Sequence, residues 1–290
     1  MTVDPLEAST SDGITLRMDR LRARGDRRGV ALCLHAMMTD GRYFGARRDG
    51  SFAATLSDAG FDVIVADFRG HGRSVPPRAA SGDWSFDDLV QLDLPTIVEA
   101  VAHHSACAPS ELAIIGHSLG GLVTTAALGT GRIAAVRSFA LVSTSVWLLG
   151  RDAPLRRRMA MTGLRGMARW LGRVPARGLG FGHADEPATY VRQLTGWTRT
   201  QRWESLDGID YFAAASAITT PVYPYTGAGD WVCTPQDASG FSARIPTARP
   251  LRTVGKVLGD AIDADHFNVV SERELRPLWN EMIEQLAAAR

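Results

Sequence analysis

Short apolar runs alternating with longer segments of helical periodicity constrain this chain more than any other feature. Residues 30–34, 63–66, 112–115 and 139–142 are continuous apolar stretches, too short for helices and rich enough in β-branched side chains for strands covered on both faces. Helical patterns at 51–59, 86–104 and 119–128 lie between them. That rhythm predicts an α/β protein with a mostly parallel central sheet and crossover helices. Ser85 with Asp88 three residues on reads as a capping box opening the second helix. Residues 14–21 alternate as an edge strand or hairpin would. Strand signals return at 222–225 and 251–254, and a final helix is expected over 273–289.

The rhythm stops after Trp147. From 148 to 212 the chain is rich in Arg, Met and Trp, and it reads as a helical insertion dividing a core of 1–147 and 213–290. Over 158–171, Met161, Leu164, Met167, Ala168 and Leu171 share one side of a helical wheel and Arg158, Arg165 and Arg169 the other. Hydrophobic residues at 45% and a net charge of +1 exclude a disordered chain and give no global field for nucleic acid or a membrane surface. No run reaches the roughly 18 apolar residues of a membrane span. Cys33, Cys107 and Cys233 are far apart and read as free thiols, with Cys33 a small buried hydrophobe. Residues 1–11 carry Asp4 and Glu7 and lack the apolar stretch of a secretion signal, so a cytoplasmic location is the expectation.

Chemistry concentrates at Gly116-His117-Ser118-Leu119-Gly120, a G-x-S-x-G between a predicted strand and a predicted helix. This turn holds its central residue in a strained conformation and needs glycine two places before and two after. Ser118 would sit at a helix N-terminus, where free N–H groups favour developing negative charge. A serine hydroxyl needs a base. Of seven histidines only His183 and His266 follow Ser118, and His266, beyond the last strand, is the expected base. Asp230, on the loop after the penultimate strand, is the expected acid that orients it; Asp237, Asp260, Asp263 and Asp265 are the alternatives. Leu119 and Met37 are the expected N–H donors to an oxyanion.

In these motifs the chain resembles the α/β-hydrolases. The matching pieces are His35-Ala36 after the third strand, where the family carries His-Gly, then Asp67-Phe68-Arg69-Gly70-His71-Gly72-Arg73-Ser74, the elbow at 116–121, Gly229-Asp230 and Asp265-His266. The resemblance implies an α/β-hydrolase fold with a helical lid at the insertion. It also implies an esterase, lipase or thioesterase acting through an acyl-enzyme; an acyltransferase or a non-catalytic binding module would share the same framework. Ala36 departs from the pattern, since its methyl group limits backbone freedom where glycine is usual.

Other residues carry weaker expectations. His35, Met38, His117, Trp147 and Trp231 are candidates to touch substrate, although His35 and His117 are first read as shaping the loop and the elbow, and His71 as structural. His103 and His104 fit a solvated helix end. Asp67 and Asp93 do not stand at the elbow, which disfavours an aspartate nucleophile. No metal or dinucleotide motif is present, so no cofactor is expected. Residues 151–177 hold eight arginines against the single acid Asp152. They read as a solvated face, or as a contact for an anionic acyl carrier or partner protein. Met159, Met161, Met167, Trp147, Trp170, Trp197 and Trp203 could line an apolar acyl pocket or dock the insertion on the core. The expected ligand is a small ester or thioester with an apolar acyl group.

Overall fold

The chain opens with a hairpin that periodicity marks only in part. In the computed structural model, which describes residues 2–74, 82–148 and 154–289, β1 (Val3–Ser9) pairs antiparallel with β2 (Thr15–Leu21). β2 is the strand expected at 14–21. β1 has no apolar run: it is an edge strand whose polar residues and Pro5 keep a free edge from pairing further.

The expected central strands follow as β3 (Gly29–Leu34), β4 (Phe61–Asp67), β5 (Leu112–His117) and β6 (Ser138–Val142). β7 (Arg173–Val174) and β8 (Glu186–Pro187) form a separate two-residue ladder that no sequence signal announced. β9 (Val222–Gly227) and β10 (Arg252–Val254) complete the main sheet. Among the described residues its order is β1-β2-β4-β3-β5-β6-β9-β10, parallel from β4 to β10. β2 joins β4 antiparallel.

Helices cover both faces, which is why the central strands read as unbroken apolar runs. On one face α3 (Leu94–Ser105) and α4 (Leu119–Gly129) pack Leu94, Ile97, Val101 and Val123 onto Leu32, Leu34, Ile114 and Phe139. On the other, α1 (Phe52–Asp58) and the final helix pack Phe52, Leu56, Trp279 and Met282 onto Ala31, Cys33, Val63 and Ile115. Ser51 caps α1. The capping box at Ser85 and Asp88 opens α2 (Phe86–Asp88), which continues through a π turn, Leu89–Asp93, into α3. That turn brings the buried carboxylate of Asp93 to the backbone and side chain of Arg69 at 2.8 and 2.7 Å.

Between β6 and β9 lie α5 (Leu155–Leu171), α6 (Ala188–Thr200) and α7 (Tyr211–Ala215). Arg151 and Asp152, counted in the basic stretch, fall outside the described residues. Met161 and Ala168 of α5 are buried as the wheel predicts, and Arg158, Arg165 and Arg169 are exposed. Leu171, at the helix end, is exposed instead. Arg157 departs from the solvated face: it is buried against Asp237 and donates to the carbonyls of Trp231 and Val232. Trp197 and Trp203 join the main core, whereas Trp170 and Met159 are exposed, so these aromatics do not share one pocket. α8 (Pro235–Ser242) follows the loop after β9, and α9 (Arg276–Ala288), preceded by a 3-10 turn over Arg273–Leu275, closes the chain. Among the described residues no helix is long and apolar enough to cross a membrane.

Asp87 ties the β6–β9 segment to the core. Its carboxylate accepts from Gln193 at 2.8 Å, the Tyr211 hydroxyl at 2.6 Å and the Leu206 amide at 2.7 Å. Asp87→Ala would orphan three donors at once, so a loss of about 3 kcal/mol is expected in urea unfolding; a change under about 0.5 kcal/mol would show that the network contributes nothing.

Candidate active site

Sheet register assembles the site. Leu34 pairs with Gly116 and His117 with Val142, so the chain leaving β3 runs beside the turn leaving β5. At that turn Ser118 has φ 52° and ψ −106°, a strained conformation for a non-glycine residue. Its amide donates to Val142 O at 2.9 Å and its carbonyl accepts from Leu122. Both flanking glycines are required: a Cβ on Gly116 would come within 2.8 Å of Gly120, and one on Gly120 within 2.4 Å of Leu34 O. The Gly120 amide instead donates to His35 O at 3.0 Å, joining the two loops.

Asp230 and His266 meet across the ends of the late strands. Asp230, three residues past β9, is buried, and its Oδ1 accepts from the amides of Val232 and Cys233 at 2.8 and 2.7 Å. Its Oδ2 accepts from His266 Nδ1 at 2.8 Å. The Gly229 amide donates to Ala264 O at 2.9 Å, so the acid and histidine loops are also sewn together by backbone. The other carboxylates are occupied elsewhere: Asp237 by Arg157 and Thr234, Asp260 by Arg252, Asp263 by the Lys256 amide, and Asp265 by the amides of Phe267 and Asn268. His183 is exposed, and its backbone amide donates to Met38 O at 2.7 Å.

His35 and His117 are corrected as candidates for substrate contact, because both are fully buried. His117 Nε2 donates to the backbone carbonyl of His266 at 2.7 Å, under a stacked Tyr43 ring, and so fixes the loop that carries His266. Burial, with His266 nearby, drives its pKa well down. His35 Nδ1 donates to Ala36 O at 2.8 Å and Nε2 accepts from the Phe68 amide at 3.2 Å, which defines a neutral ring. Burial and neighbouring His71 push its pKa down to about 3.

Ala36 is accommodated because it does not occupy the strained position. The left-handed residue of this loop is Met38, at φ 61°. Met37 and Met38 pack against a small cluster of Ala168, Val174, Ala176, Ala188 and Val191 from the β6–β9 segment. Trp147 donates to Val232 O at 2.6 Å, and its ring lies 6.2 Å from that of Trp231; Arg157 and Arg156 cover the two rings. Both tryptophans therefore stand beside the Asp230 loop.

Sequence reasoning missed Glu186. This residue of β8 is fully buried, and its Oε1 accepts from the Met38 amide at 2.5 Å and from His71 Nε2 at 3.1 Å. His71 Nδ1 donates to Arg69 O at 2.9 Å, so both ring nitrogens face acceptors. Burial disfavours the imidazolium, but the Glu186 carboxylate outweighs it and raises the His71 pKa. Nothing in His183-Ala184-Asp185-Glu186-Pro187 signals this role, since a lone acid in an irregular stretch reads as solvated. Among the described residues no cluster of three His, Cys, Asp or Glu is arranged to hold a metal.

The geometry can be set beside known proteins. Residues 36–193, just over half of the chain, match the family Hydrolase_4, described as serine aminopeptidase, S33. The chain belongs to this S33 α/β-hydrolase family. Triacylglycerol lipase 2 of Arabidopsis thaliana is 30% identical over 155 residues, covering 48% of this chain and 36% of the lipase. The match thus spans about a third of that relative's length. Among solved structures, the esterase EaEST from Exiguobacterium antarcticum superposes with a TM-score of 0.64 at 16% identity, over 97% of this chain and 99% of its own. The esterase RhEst1 from Rhodococcus sp. ECU1013 gives 0.60 at 18%, over the whole of both chains. At such identities the structures establish the α/β-hydrolase fold of this family member.

The buried neutral ring of His35 makes stability depend on pH. An unfolded chain protonates His35 near pH 6.5, whereas the folded chain resists down to about 3. Its contribution is therefore full above about 6.5 and is lost as pH falls toward 3. His35→Asn is expected to flatten the decline of Tm between pH 7 and 4; an unchanged slope would remove His35 from the acid limb.

Proposed function

We propose that the chain is a serine hydrolase that cleaves a carboxylic ester or thioester through an acyl-enzyme. The observation that carries this reading is the Asp230–His266 pair at 2.8 Å, with the His266 carbonyl accepting from the side chain of His117, the residue before the strained Ser118. Ser118 attacks the carbonyl carbon while His266 Nε2 takes its proton. Asp230 holds the Nδ1–H tautomer and stabilises the imidazolium that forms. The Leu119 and Met37 amides receive the oxyanion. His266 then protonates the leaving alcohol or thiol as the tetrahedral intermediate collapses; water, giving its proton to His266, adds to the acyl-enzyme carbonyl, and the bond to Ser118 Oγ breaks as His266 returns that proton to it, releasing the acid. No protein group beyond these is required.

The lipase and esterase names of the relatives favour an ester, and the apolar Met37 and Met38 side chains at the oxyanion loop suit an apolar acyl group. We read the β6–β9 segment as a lid, because it packs directly on that loop. Exposed Arg158, Arg165 and Arg169 of α5 make no salt bridge among the described residues, which suits an anionic carrier or leaving group.

Initial rates on a chain-length series of p-nitrophenyl esters and acyl-thioesters, with an aminoacyl p-nitroanilide for the family's peptidase description, test the reading. Ser118→Ala and His266→Ala should each lower kcat by at least about 10⁴-fold, and Asp230→Asn by about 10³-fold to 10⁴-fold. Turnover of His266→Ala at wild-type rates would overturn the assignment of the base. A folded wild-type protein without Ser118-dependent turnover of any ester or thioester would overturn the function.

A further inference from the structure

Residues 182–186 hold both polar groups of the Met38 backbone. Met38 O accepts from the amides of His183 and Ala184 at 2.7 and 3.1 Å. Met38 N–H is taken by Glu186 Oε1 at 2.5 Å. Gly182 sits so close that a Cβ there would fall 2.2 Å from Met38 O. Met38 itself is the left-handed residue of the loop, a conformation that costs a non-glycine residue of order 1–3 kcal/mol and persists only where its surroundings over-determine it.

The Met38 amide and the Met37 carbonyl belong to one peptide plane. Holding the Met38 N–H therefore fixes the ψ of Met37, and with it the direction of the chain immediately after the Met37 amide. Glu186 is suited to this task and poorly suited to simple stabilisation. It is fully buried, one oxygen serves both Met38 and His71, and the other, Oε2, has no hydrogen-bond partner among the described residues. A buried acceptor left bare costs about 1–3 kcal/mol. The carboxylate is held from behind by His71, whose ring lies 4.7 Å from that of His35 in the same loop.

We propose that Glu186 is a positioning residue for the oxyanion hole: by accepting the Met38 N–H it locks the β3 loop so that the Met37 amide is presented to the oxyanion. The proposal rests on the hydrolase reading above for its catalytic meaning, while the contact itself is independent of it. Glu186 touches neither substrate nor reacting atoms, and acts only through the loop. A consequence is that the site is complete only when the β6–β9 segment is docked, because the clamp comes from that segment.

The test compares wild type, Glu186→Ala, Glu186→Gln and Gly182→Ala in the full chain, by kcat and KM on p-nitrophenyl butyrate, by Tm, and by hydrogen-exchange mass spectrometry. Glu186→Ala should lower kcat about 50-fold with KM within about three-fold, because a donor misaimed by less than an ångström weakens the transition state more than the ground state. Glu186→Gln keeps an oxygen for the Met38 N–H and should recover kcat to within about five-fold of wild type. Gly182→Ala displaces Met38 O from the other side and should reproduce the Glu186→Ala pattern; it decides the matter if Glu186→Ala does not fold. Peptides covering 35–41 should exchange at least about ten-fold faster in Glu186→Ala, with those covering 112–129 unchanged. A kcat within about three-fold of wild type in Glu186→Ala and Gly182→Ala, or equal losses in the Ala and Gln variants, overturns the proposal. If wild type shows no Ser118-dependent turnover, the hydrolase reading fails, and the exchange result alone upholds or overturns the clamp.

Discussion

The close approach of two backbones at Gly120 sets the rest of the site. Leu34 O lies where any side chain at 120 would have to go, and the Gly120 amide bonds to His35 O. Because β3 and β5 are paired in register, the loop that follows one and the helix that follows the other must leave the sheet together. Strain at Ser118 is the consequence: the chain reverses from strand to helix in one residue, and φ 52° is the conformation left to it. Hydrogen bonds from Ser118's own amide to Val142 O and from the Gly120 amide to His35 O offset that strain, as a strained non-glycine residue requires.

Around this junction buried histidines sit in two electrical environments. His35 and His117 are neutral and buried, each bonding a backbone carbonyl, so their work is to fix loop geometry without bringing a charge into the core. His71 is different. An acceptor faces each of its nitrogens, and the adjacent Glu186 carboxylate raises its pKa against the burial that lowers it. A buried, hydrogen-bonded His71–Glu186 pair between a core loop and the β6–β9 segment is weak evidence for stability. It does impose one relative arrangement of the two, since separating them leaves a buried polar group unpaired on each side.

Much of this was legible in the sequence, for reasons that differ by element. Central strands and their helices were readable because burial on both faces leaves continuous apolar runs, and the Ser85–Asp88 capping box was readable because it is local. The elbow was readable because its glycines answer a steric demand. Asp230 and His266 were chosen by order along the chain, and their hydrogen bond is tertiary information that only the fold carries. β1 was missed since an edge strand need not look apolar. The roles of His35 and His117 as buried carbonyl ligands could not be separated from substrate contact by residue type, because a histidine near a nucleophile looks the same in either role.

Glu186 and Arg157 were illegible for a deeper reason. In sequence each looks like surface: one an acid in an irregular stretch, the other one arginine among eight. Periodicity assigns charged residues to the solvent side, and it has no way to represent a charge whose partner lies some 80 to 150 residues away. Yet through these two residues the β6–β9 segment reaches the Met38 and Asp230 loops. Glu186 holds the loop expected to bind the oxyanion, and Arg157 donates to the carbonyls of Trp231 and Val232 immediately after Asp230. A segment that reaches both loops through buried Glu186 and Arg157 is built into their geometry. Undocking it would release Met38 on one side and the Asp230 loop on the other, so docking of the segment and the geometry of the two loops are coupled by the same contacts.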